Sequence, residues 1–148
     1  MKTFILLCLA FLVASVIRAA TPADEKAFVD KYKAAFESKE TATLESFLYT
    51  QGADPMVVSF YKMMQSSSAG GKVAKIELAD LTPEDVKKAA EPQDSPTGGK
   101  LCLNLKPMKK LVIRVETKDE NGSSSNTTTN FVAEKDGKFV IPVPGACK

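Results

Sequence analysis

A chain of 148 residues, 44% hydrophobic and 26% charged, has the size and balance of one globular domain and excludes a disordered chain. It contains no histidine, which removes the usual serine and cysteine triads and the common zinc sites. Its net charge of +2 rests on Lys2 and Arg18, both in an apparent leader, so the remaining domain is neutral and gives no electrostatic reason to expect nucleic acid as a partner.

The leader reads as a secretory signal over 1–19. Lys2 is a minimal positive start, Phe4 to Ile17 is almost unbroken apolar sequence, and Ala19 and Ala20 supply small residues at the cut. Cleavage after Ala19 leaves a domain over 20–148, placed in the periplasm or outside the cell. The competing reading is an uncleaved anchor. The apolar run is short for a bilayer and no later stretch is longer, so the cleaved chain is not expected to be an integral membrane protein.

Thr21-Pro22-Ala23-Asp24 predicts a capped helix start, and Phe28, Val29, Tyr32, Ala35 and Phe36 recur on one face. A break near Lys39-Glu40 precedes a shorter helix with Leu44, Phe47 and Leu48 inward. Asp54-Pro55 starts a third helix with a stripe of Met56, Val57, Phe60, Tyr61 and Met64, ended by Ser66 to Gly71. Val73 to Leu78 then reads as a strand, Thr82-Pro83-Glu84-Asp85 as the start of a helix of one or two turns, and Glu91 to Gly99 as a loop. Leu101, Leu103 and Leu105 alternate as a strand, as do Leu111, Ile113 and Val115. A turn at Asp119-Glu120-Asn121-Gly122 leads to a polar strand over Ser125 to Glu134, and Asp136-Gly137 predicts a hairpin into Phe139-Val140-Ile141. Pro142 and Pro144 place the end of that last strand early, or along an edge.

Helices first and an antiparallel meander second define an α+β class. The order of elements, and above all the run AFESKETATLESFLYTQG from Ala35 to Gly52, resembles the NTF2-like (SnoaL-like, cystatin-like) superfamily, in particular small exported bacterial members without an assigned activity. The resemblance implies three N-terminal helices packed on a curved antiparallel sheet, forming a cone whose mouth can hold a ligand. The short passage from Tyr49 to Asp54 departs from the family pattern: it leaves little room for the hairpin that usually joins helices two and three. Enzymes of the superfamily use a pocket aspartate with a tyrosine and a second acid, but no residue here matches that set.

The resemblance makes Tyr32, Tyr49, Phe60, Tyr61 and Met64 candidates for the mouth of a pocket. The alternative is that the tyrosines are aromatics at the edge of the core and the methionines core packing. Arg114, Glu116, Thr128 and Asn130 are candidates for a polar dimer face, a mode the family uses, or else form a solvated outer face. The Asn121-Gly122-Ser123 and Asn126-Thr127-Thr128 triplets match the glycosylation pattern but read as turn and strand. Two cysteines, Cys102 and Cys147, survive cleavage, and in an oxidising compartment they predict a disulfide closing about 45 residues; the alternative is two free thiols. No catalytic set, metal site or cofactor motif is present. The expected function is binding of a small molecule or a protein partner, with an isomerase- or cyclase-type enzyme and an envelope assembly protein as alternatives.

Overall fold

A computed structural model describes residues 19–119 and 122–148, and only the backbone of 117–119. The predicted signal, apart from Ala19, lies outside the described residues, as do Glu120 and Asn121 of the predicted turn. The fold is α+β, with two sheets.

Helix α1 spans Pro22–Glu37. Its start is fixed locally: the Thr21 hydroxyl accepts from the Asp24 amide at 3.3 Å, and the Asp24 carboxylate accepts from the Thr21 amide at 2.8 Å. Such a reciprocal cap is worth about 1 kcal/mol. Phe28, Tyr32, Ala35 and Phe36 are buried on its inward face, at the predicted spacing. Helix α2 is a short Thr41–Glu45 segment and α3 spans Pro55–Ser68, where the Asp54 carboxylate accepts from the amides of Met56 and Val57. Helix α4, Pro83–Ala90, repeats the α1 cap with Thr82 and Asp85.

Strands β1 (Leu48–Tyr49), β2 (Lys72–Asp80), β5 (Lys109–Asp119), β6 (Gly122–Lys135) and β7 (Lys138–Pro142) form a five-stranded sheet in the order β1-β7-β6-β5-β2. The β6–β7 hairpin turns at Asp136 and Gly137, both with positive φ (53° and 74°), as a two-residue turn that follows the strand twist requires. A second sheet, in the order β3-β4-β8, joins Gln93–Asp94, Lys100–Leu103 and Pro144–Ala146.

The helices and the main sheet bury one core. Leu44, Leu111, Ile113, Val132, Ile141 and Val143 lie at its centre, under the inward face of α1. Phe28 stands edge-on to Phe47, with ring centroids 5.2 Å apart, and Tyr32 lies 5.2 Å from the same ring. Lys109 binds both Glu25 of α1 (3.1 Å) and Asp80 of β2 (3.2 Å), tying the helix to one end of the sheet.

Four details differ from the sequence reading. Phe47, Leu48 and Tyr49 are not helical: Phe47 and Leu48 are buried beyond the end of α2, and β1 pairs in parallel with β7 through Leu48↔Ile141 and Tyr49↔Pro142. That pairing gives β7 a neighbour on each side, so it does not run along the edge, although it does end at Pro142. The predicted strand through Leu105 stops at Leu103, and the loop from Glu91 contains β3. Finally, α3 is rotated. Val57, Val58 and Tyr61 pack on the core, while Met56 (53% exposed), Phe60 (52%), Met63 (58%) and Met64 (47%) face outward.

A candidate ligand cavity under helix α3

Between the C-terminal half of α3, helix α1 and the main sheet lies a cavity of about 180 Å³. The apolar wall consists of Phe36 from α1, Ile113 and Ile141 from the sheet, and Phe60 and Met64 at the rim. The polar wall is Tyr32, Tyr61, Gln65, Ser68, Thr128 and Asn130. None of these lining side chains is an acid, a lysine or an arginine.

Four of the five sequence candidates, Tyr32, Phe60, Tyr61 and Met64, therefore meet at one cavity. Tyr49 does not. It sits on β1, and its hydroxyl is 2.6 Å from Gln51 Oε1, away from the cavity.

The four residues proposed as a dimer face are separated by the sheet register. In an antiparallel ladder, directly opposed residues share a face. Ile113 opposes Thr128 and Leu111 opposes Asn130, so Thr128 and Asn130 are on the inward face and line the cavity. Arg114 opposes Thr127 and Glu116 opposes Ser125, and these four lie exposed on the other side.

Burial sets the protonation of the wall. Desolvation raises the Tyr32 hydroxyl above the ordinary tyrosine range, opposed by a hydrogen bond from the Gln65 side chain, and burial alone raises Tyr61. Both hydroxyls are thus neutral donors and acceptors near pH 7. Gln65 Oε1 is buried without a hydrogen-bond partner. Among the described residues, no hydrogen bond is made by the Asn130 side-chain amide or by the Tyr61 and Thr128 hydroxyls.

Gln65 was not singled out from the sequence. The available signal was its position four residues after Tyr61, a polar side chain on the helix face that carries Val57 and Tyr61 inward.

A second cavity of about 190 Å³ adjoins the first, sharing Tyr61, Asn130 and Ile141 with it. It brings in Lys88 and Glu91 of the α4 region and Pro144 of β8. Beyond it, Lys110 donates to the Asp85 carboxylate at 2.6 Å, joining α4 to β5. Lys110 is the first cause, and the Thr82 cap the second, of an Asp85 pKa lowered to about 2.

The two cysteines are joined: Cys102 and Cys147 form a disulfide with their Cα atoms 4.9 Å apart, linking β4 to the C-terminal tail just past β8. Among the described residues no helix is long and apolar enough to cross a membrane, and no group of three or more acidic or cysteine side chains is placed to hold a metal ion.

No family model matches the chain, and no curated protein matches it. Among solved structures, the helical cell shape determining protein Pgp2 from Campylobacter jejuni shares 15% identity, with a TM-score of 0.39 over 78% of this chain. The match spans 37% of that protein's own length, and a likeness at this level carries no argument about fold or function.

Proposed function

We propose that this chain is an exported NTF2-like domain that binds a small molecule in the cavity under α3. The observation that carries the binding part is the cavity's composition: an apolar wall faced by uncharged hydrogen-bonding side chains, which suits holding and orienting a ligand. The NTF2-like part is supported by the helices α1, α2 and α3 that precede the antiparallel strands β5, β6 and β7, and by the packing of α1 on the main sheet. Export is supported by the signal-like leader and by the Cys102–Cys147 bridge, since disulfides persist in oxidising compartments.

The test is native mass spectrometry of the protein purified from the exported fraction of its host, followed by crystallography of the same material. A retained small molecule with density between Tyr32 and Met64 is the expected result. A bare protein whose cavity is filled by the Phe60 ring would overturn the reading.

A second reading, a homodimer, is favoured by the outward face of α3. Met56, Phe60, Met63 and Met64 are about half exposed, and the only charge on the helix, Lys62, is paired with Glu45 at 2.8 Å. Two such faces can meet without like-charge repulsion. Sedimentation decides it: a dimer that reverts to monomer with Met63→Lys supports the reading, and a monomer at high micromolar concentration removes it.

A further inference from the structure

Ala20 is the residue at which the chain comes to rest on the domain. Ala19 before it is exposed, whereas Ala20 is half-buried and packs against the core. Thr21, next in sequence, is fixed as the cap of α1, its amide 2.8 Å from the Asp24 carboxylate. The Ala20 amide itself donates to the Glu134 carboxylate of β6 at 3.1 Å. Side chains alternate along a strand, so Glu134 shares the inward face of β6 with Thr128, Asn130 and Val132.

Glu134 is a half-buried carboxylate that, among the described residues, makes no ion pair: its partner is the neutral Ala20 amide. A carboxylate partly removed from water is better matched by a positive charge. The cations of the surrounding elements are directed elsewhere. Lys109 of β5 binds Glu25 and Asp80, and Lys135 of β6 binds Asp136. Lys138 of β7 opposes Lys135, on the outward side of the sheet. On α1, Asp24 and Glu25 of the first turn are acids as well.

Cleavage of the leader supplies the missing charge at the right atom. Hydrolysis of the Ala19–Ala20 peptide bond by a leader peptidase places the hydroxyl of one water on the Ala19 carbonyl and a hydrogen on the Ala20 nitrogen. The freed amine then takes up a proton at neutral pH, because an N-terminal amine ordinarily titrates at about 8. The nitrogen that Glu134 already holds becomes an ammonium.

We propose that the cut between Ala19 and Ala20 builds an ion pair into the mature fold, with the Ala20 ammonium seated on the Glu134 carboxylate and the start of α1 thereby locked to β6. This inference rests on the export reading above. Next to a helix start an ammonium is opposed by the positive end of the helix dipole, and Glu134, Asp24 and Glu25 offset that repulsion. A cut one residue later would put the charge on Thr21 and remove Ala20 from the core. An ammonium paired in the folded state titrates above its ordinary value. Its stabilisation is therefore complete below about pH 8 and is lost as pH rises through the folded value.

The experiment uses protein expressed from the full chain with isotope-labelled alanine and recovered from the exported fraction. Mass spectrometry reads the N-terminus, and NMR follows the Ala20 carbon shifts against pH. The expected result is a chain beginning at Ala20 whose ammonium titrates at about pH 8.5 or higher, against an ordinary value of about 8. In Glu134→Gln, which keeps the shape and removes the charge, the midpoint is expected to return to that ordinary value. The Tm advantage of the unaltered protein over this variant is expected to shrink between pH 7 and pH 10. A midpoint at or below about 8 in a chain beginning at Ala20 would overturn the ion pair and leave export standing. That titration of the unaltered protein decides even if Glu134→Gln does not fold. A raised midpoint that persists in the variant would overturn the assignment to Glu134, and a chain beginning at Thr21 would overturn the site. Recovery of the uncleaved chain alone would overturn this inference and the export reading together.

Discussion

At the scale of single residues, Asn104 does more than its position after β4 announces. Its amide nitrogen donates to the carbonyls of Tyr49 (2.6 Å) and Gln51 (3.2 Å), and its oxygen accepts from the Val143 amide at 3.0 Å. One side chain thus satisfies backbone groups where β1 leaves the main sheet and where the chain crosses to β8. Asn104→Ala removes all three bonds and leaves partly buried backbone groups unpaired, an expected loss of about 2–3 kcal/mol. Urea denaturation reads it; a loss below about 0.5 kcal/mol would show that water replaces the side chain without cost. Close by, Gly145 is required for space. A Cβ there would lie 1.9 Å from the Gly52 carbonyl oxygen, a clash with backbone that no rotamer change relieves.

At the scale of elements, an ion pair ties α4 to β5 of the main sheet. Asp85 has its pKa lowered to about 2, chiefly by Lys110 and then by the Thr82 cap. A carboxylate lowered in the folded state contributes stability that is complete above its ordinary value near 4 and is lost as pH falls through about 2. The expected outcome is that Asp85 titrates near pH 2 by NMR, and that Lys110→Met moves that midpoint upward. An unmoved midpoint would assign the shift to the helix cap alone. The caps of α1, α3 and α4 were legible in the sequence because each is set by residues within three positions of one another. The Asp136-Gly137 hairpin was legible for the same reason.

What was not legible depends on contacts between distant segments. The rotation of α3 is one case: Met56, Val57, Val58, Phe60, Tyr61, Met63 and Met64 make the helix apolar around most of its circumference, so spacing alone admits two overlapping stripes. The faces of Thr128 and Asn130 are another. Strand register decides them, and a slip of one residue exchanges the two sides of a sheet. Strands β1 and β3 have two residues each, too few for any alternation to show.

At the scale of the whole molecule, the small sheet is a clasp. Strand β8 pairs with β4, the Asp54 amide donates to the Pro144 carbonyl at 3.0 Å, and the disulfide lies just beyond. The start of α3, and with it one wall of the cavity, therefore rests on the fastened tail. For a loop of 45 residues the chain-entropy model gives roughly 4 kcal/mol. The double substitution Cys102→Ser with Cys147→Ser is expected to lower Tm by roughly 10–20 °C, read by calorimetry. A change below about 3 °C would mean that the β4–β8 pairing holds the tail without the bond.

The same bond encloses β5, β6 and β7 between its two sulfurs, and with them the exposed, serine- and threonine-rich stretch of β6 from Ser123 to Thr127. A protease that cuts once inside this ring does not release a fragment: both pieces stay covalently joined, and the break shows only after reduction. In the exported domain proposed above, the crosslink is then a safeguard against proteolytic damage as well as a brace, and a nicked molecule can keep its shape.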